Sequence, residues 1–224
     1  MPALSRLADT PDRYRHAYAR IVAAVCLLTM PLVAFLMGTS DWLIITLLGP
    51  QWTEASAIFA WLGVSGLIEP FSTMTVWLLL TQGRTRQQFH WGLINAVLTI
   101  AAIIAGLPWG PVGVAASYGL VGLVIRTPLL FWFVGRDGPV RTRDFYMTLA
   151  PFATASCAIL LAIFAFRHWA DISTPLIGLA GAAGLTIVVT GLILFLLPSG
   201  RAVVRDVHRV VVSLMNKRGT PSAQ

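Results

Sequence analysis

The sequence predicts an all-α polytopic membrane protein with about six transmembrane helices. Three observations predict it. Apolar residues fill 57% of the 224 positions and charged residues only 11%, against about 25% charged in a soluble globular domain. A soluble fold of this length cannot bury that much apolar surface, which excludes a water-soluble enzyme domain, and the composition also excludes a disordered or collagen-like chain. The apolar residues fall into six runs, each near or above the ~20 residues that a helix needs to cross the hydrocarbon core. The basic residues concentrate in alternate segments between those runs.

The runs lie at 20–38, 54–80, 89–107, 112–134, 146–166 and 174–197. The first is too long for the core of a signal peptide, and Asp9 and Asp12 are the wrong flank for one, so it is expected to be retained. The second and fourth are long enough to cross with tilt. Pro31, Pro70, Pro128 and Pro151 lie inside runs. Spanning helices accept proline because neighbours can satisfy the freed carbonyls. The short run at 42–48 follows Gly38-Thr39-Ser40-Asp41. It reads as the broken end of the first span or an interfacial turn, and not as a seventh span. The expected organisation is a cytoplasmic amphipathic linker at 1–19, a six-helix membrane domain at 20–197 and a basic cytoplasmic tail at 198–224.

Net charge is +7, and fifteen of the sixteen basic residues are Arg. In a soluble chain this would suggest nucleic acid; here membrane topology explains it, and no nucleic-acid partner is expected. Arg6, Arg13, Arg15 and Arg20 precede the first span. Arg84 and Arg86 follow the second, and Arg136, Arg141 and Arg143 follow the fourth. Arg201, Arg205, Arg209, Lys217 and Arg218 follow the sixth. The opposite set of segments holds Arg167 alone, so the split is fourteen against one, with Arg126 inside a span. The positive-inside rule then puts both termini in the cytoplasm. Tyr14, Tyr18 and Ile21 beside Arg13 and Arg20, and Val203, Val207, Val211 and Leu214 opposite Arg201, Arg205 and Arg209, suggest amphipathic ends lying on the inner membrane surface.

The chemistry-bearing residues are few. Gly63-Val64-Ser65-Gly66 has the GxSG form of an intramembrane serine nucleophile, which needs a histidine in a neighbouring span. His16, His90, His168 and His208 all lie in loops or at helix ends, so helix packing through small residues is the preferred reading. No metal, phosphate-loop or dinucleotide motif occurs, and neither enzymatic activity, a cofactor nor a metal is expected. Cys26 and Cys157 fall inside apolar runs and read as packing residues. Glu69 lies midway along the second run and Arg126 well inside the fourth. A charge there costs ~2.5–3.5 kcal/mol or more, so such residues pair, face a polar interior or serve transport. Glu69 and Arg126 are therefore the candidates for a substrate or ion pathway, through a mutual ion pair or through ligand contact. Asn95 in the third run is a weaker candidate.

Several strings together resemble a known family. Pro2-Ala3-Leu4-Ser5-Arg6-Leu7 with Asp12-Arg13-Tyr14-Arg15 resembles a flippase linker. Leu48-Gly49-Pro50-Gln51-Trp52 and Gly83-Arg84-Thr85 fit the same pattern. Leu107-Pro108-Trp109-Gly110-Pro111-Val112-Gly113-Val114-Ala115 is the most specific of them. In their order and spacing over about residues 1–200 they are similar to the polysaccharide transporter family of the multidrug/oligosaccharidyl-lipid/polysaccharide exporter superfamily, which includes O-antigen and exopolysaccharide flippases. The resemblance implies one lobe of a two-lobed carrier, the C-terminal one, with a separately encoded N-terminal lobe or a second copy as partner. It also implies a lipid-linked oligosaccharide substrate, an undecaprenyl-diphosphate-linked repeat unit, moved by alternating access. No catalytic residue carries over, because flipping makes no bond. Two alternatives stay open: a small-molecule or drug exporter of the same superfamily, and a non-transporting membrane scaffold of a polysaccharide assembly complex.

Overall fold

The structure, a computed structural model, describes residues 11–136, 140–169 and 174–196. Those residues are helical with short connections, and they contain no strand. The helices are α1 (Pro11–Gly38), α2 (Ser40–Leu48), α3 (Thr53–Thr81), α4 (Thr85–Gly106), α5 (Gly110–Val121), α6 (Thr127–Gly135), α7 (Thr142–Trp169) and α8 (Pro175–Leu196). A π turn, Gly122–Arg126, joins α5 to α6 as one kinked span. The chain is thus a multi-pass membrane protein, and its described residues form six spans: α1, α3, α4, α5–α6, α7 and α8. α2 has nine residues, about 13 Å at 1.5 Å per residue, and is too short to cross.

The stretch Thr85–Gly135 is apolar throughout its 51 residues. As one straight helix it would be about 75 Å long, against a hydrocarbon core of about 30 Å. It doubles back at Leu107-Pro108-Trp109, a 3₁₀ turn, followed by Gly110 at φ 69°. Only glycine takes that left-handed backbone without strain. Small residues then let α4 and α5 touch. A Cβ on Gly106 would lie 2.5 Å from the Val114 Cα and 2.6 Å from the Gly113 carbonyl oxygen, and would collide with Ser117 Oγ. Ser117 Oγ crosses the same contact to donate to the Ala102 carbonyl at 2.7 Å. Gly106→Ala is therefore expected to cost roughly 1–3 kcal/mol by overpacking, read as a lower midpoint in reversible detergent unfolding. An unchanged midpoint would mean that the hairpin is looser than drawn.

α1 runs between α3 and α7, and α8 packs on α7. At one end of the bundle the core is aromatic. Phe71 of α3, Phe131 of α6 and Phe145 of α7 meet at centroid distances of 5.1, 5.3 and 6.4 Å. Tyr18 of α1 joins them edge-on to Phe145 at 5.8 Å, and its hydroxyl bonds Thr75 Oγ1 at 3.1 Å. Residues 1–10 of the first linker lie outside the described residues, and at Tyr18 the surface-lying reading is corrected. α1 is continuous across residues 19 and 20, and Tyr18 is 4% exposed in the core while Ile21 faces outward. The reason is packing: an aromatic ring with a hydroxyl partner on α3 gains more inside the bundle than at a wet surface. The amphipathic reading of 201–214 and the basic tail lie outside the described residues.

Candidate functional site

Glu69 stands midway along α3, just before Pro70. Arg126 closes the π turn, and sequence explains that turn. Pro128 has no N–H, and its ring would press on the Val124 carbonyl in a continuous α-helix. The ladder widens instead: the Thr127 N–H and its hydroxyl both donate to the Gly122 carbonyl, the hydroxyl at 2.8 Å. π turns of this kind re-aim side chains. Gly122 completes the arrangement, because a Cβ there would sit only 3.3 Å from Arg126 Nη2. With no Cβ in the way, the guanidinium folds back along its own helix toward α3.

There Arg126 Nη2 donates to Glu69 Oε2 at 3.1 Å, and Nη1 donates to the Tyr118 hydroxyl at 3.3 Å. The guanidinium also lies 5.1 Å from the Tyr118 ring centroid, a cation–π arrangement. The two charged partners are unequal: the Arg126 side chain is 12% exposed and the Glu69 side chain 56%. Both line a cavity of about 320 Å³, whose wall also includes Ser72, Thr73, Gln88 and Asn95. Gln88, Trp91 and Asn95 recur at helical spacing on α4 and face this cavity. The opposite stripe of α4, with Phe89, Leu93, Val97, Ile100 and Ile104, is exposed and apolar, as a lipid-facing surface requires. Chemically the cavity offers a cation, a carboxylate, hydroxyls and amides, which can hold an anionic or polyhydroxyl ligand by hydrogen bonds. Among the described residues no three His, Cys, Asp or Glu side chains come together to hold a metal.

The structure thus brings all three sequence candidates to one cavity. Gly63-Val64-Ser65-Gly66 has another job. Cβ atoms on Gly63 and Gly66 would press on Met37 and Val33 of α1, and Gly119 of α5 packs on the Trp61 carbonyl from the other side. Ser65 Oγ is buried and has no hydrogen-bond partner, so no described histidine is in place to take its proton.

Sequence reasoning missed three residues. Tyr118 precedes Arg126 by eight residues, about two helical turns, and that spacing could have revealed it. Asp41 and Arg167 are 126 positions apart yet form a forked ion pair at 2.7 and 2.5 Å. Burial raises the Asp41 carboxyl, and the Arg167 hydrogen bonds and charge, with backbone N–H donors, more than offset it. The group ends below the usual carboxylate range and is ionised at neutral pH.

Residues 1–57 match the family model described as "Polysaccharide biosynthesis protein". The chain is also 25% identical over 134 residues to "Lipopolysaccharide biosynthesis protein WzxC" of Escherichia coli (strain K12). That stretch is 59% of this chain and 27% of the relative, so the match spans about a quarter of the relative's length. No solved structure matches the chain.

Proposed function

We propose that this chain, which the two matches support as a member of the polysaccharide transporter family, forms one wall of a membrane carrier that flips lipid-linked oligosaccharide across the bacterial inner membrane. The observation that carries the reading is the Glu69–Arg126 pair, set inside two spanning helices and lining a polar cavity with Asn95. A membrane protein keeps charges at that depth when they do something there. The diphosphate or sugar hydroxyls of the substrate would take the place of cavity water against Arg126, Asn95 and the α3 hydroxyls. At about 320 Å³ the cavity is at the small end of ligand sites, which run roughly 300–1,000 Å³. It holds a part of such a substrate, and a second surface supplies the rest of the passage. In this reading that surface is a second lobe of the carrier or a second copy of the chain. No covalent step and no cofactor is needed.

Deleting the gene is expected to abolish appearance of the lipid-linked sugar in the outer leaflet, and Arg126→Gln is expected not to restore it. Normal translocation in the deletion strain would support the scaffold reading instead. The fourteen-to-one distribution of basic residues supports a topology with both termini in the cytoplasm. With Cys26 and Cys157 replaced, Trp109→Cys is expected to react with an impermeant thiol reagent from outside, and Thr85→Cys only after the membrane is opened. The reverse pattern would invert the topology.

A further inference from the structure

α1 ends at Gly38, whose carbonyl lies in the last turn and lacks an intrahelical partner. Arg167, near the end of α7, donates to it from Nη1 at 3.1 Å while gripping Asp41 with both ends of the fork. The guanidinium also stacks on Trp42, 4.5 Å from the ring centroid. These contacts occupy three N–H groups, and the rest of the fork is left to bond outward. Both side chains of the pair are one-third exposed.

Beneath the pair lies a groove of about 570 Å³ between the α1–α2 corner, α3 and α7, walled by Met37, Ala60, Leu160, Leu161 and Phe164. Leu161 and Phe164 are strongly exposed. They precede Arg167 by six and three residues, about 9 and 5 Å along the helix axis. Trp52, Trp109 and Trp169 are exposed at this same end of the bundle, where indole rings mark the level of lipid headgroups. A paired cation and anion therefore sit at headgroup depth, directly above an apolar channel at acyl-chain depth.

We propose that this groove is a binding site for a phospholipid with a primary-amine headgroup. Its phosphate meets the outward N–H groups of Arg167, its ammonium meets Asp41, and one acyl chain lies along Leu161 and Phe164. The chemistry selects this class. A zwitterion matches a neutral ion pair charge for charge. An anionic glycerol headgroup would bring no cation for Asp41, and a quaternary ammonium has no N–H to donate to its oxygens. Such a lipid would bridge the α1–α2 corner to the end of α7. The proposal is independent of the transport reading.

The purified full chain is reconstituted in nanodiscs of equal parts phosphatidylethanolamine, phosphatidylcholine and phosphatidylglycerol, and the retained lipid is identified by native mass spectrometry. Phosphatidylethanolamine is expected to be retained roughly 10- to 100-fold over the others, the effect of one charge-assisted hydrogen bond. Asp41→Asn is expected to bring that preference down to unity, and Arg167→Gln to abolish retention of all three. Ala60→Phe fills the groove with the pair intact, and it too is expected to abolish retention, which guards against a mere folding failure of Arg167→Gln. Equal retention of the three lipids by the wild-type chain, or unchanged retention by Ala60→Phe, would overturn the proposal.

Discussion

Glu69→Gln is expected to cost more stability than Arg126→Gln, although the two residues share one contact. The asymmetry follows from burial. Removing the carboxylate strands a guanidinium that is 12% exposed and keeps Tyr118 as its other partner. An uncompensated buried charge of that kind costs about 3–5 kcal/mol. Removing Arg126 instead leaves a carboxylate that is 56% exposed to the cavity, where water can solvate it. The loss is then closer to a charged hydrogen bond, about 1.5–3 kcal/mol. The double variant removes both charges and is expected to be more stable than Glu69→Gln alone. A double-mutant cycle in reversible detergent unfolding measures this. Single losses that add within about 0.5 kcal/mol would show that the pair is not coupled, and a larger loss for Arg126→Gln would overturn the asymmetry.

The six spans were legible in the sequence because each is a long apolar run, and apolar length is what the bilayer selects. Run limits at 54–80 and 146–166 became helices at Thr53–Thr81 and Thr142–Trp169. The errors fall where tertiary contact decides. Tyr18 sits at helical spacing beside arginines and reads as interfacial, yet Thr75, 57 residues away, draws it into the core. The π turn at Gly122–Arg126 hides inside a run that looks regular, and only Pro128 hints at it. Glu69, Arg126 and Asn95 stood out for their polarity at depth, and that is a local signal. Their common cavity depends on how α3, α4 and the π turn pack. The Asp41–Arg167 pair had no local signal, because each residue alone reads as an ordinary charge at a span end.

The chain alone is expected not to translocate lipid-linked oligosaccharide. Its charged cavity wall is unfinished: Glu69 is more than half exposed midway along a spanning helix. Against bare hydrocarbon such a carboxylate would cost ~2.5–3.5 kcal/mol or more. Each helix can still insert, since its backbone hydrogen bonds are internal. Alternating access, however, needs two surfaces that move about a shared site, and the described helices form one of them. The purified chain in liposomes is expected to leave a fluorescent lipid-linked oligosaccharide in the leaflet where it was loaded. Co-reconstitution with a second lobe is expected to allow flipping, and Arg126→Gln to abolish it again. If the partner is a second copy, crosslinking through Ser72→Cys on the cavity wall would capture a dimer, and flipping would rise with the square of the protein density. Substrate-specific flipping by a chain held at one copy per vesicle would show that a single lobe suffices, and the Glu69 face would then have to be covered by the substrate itself.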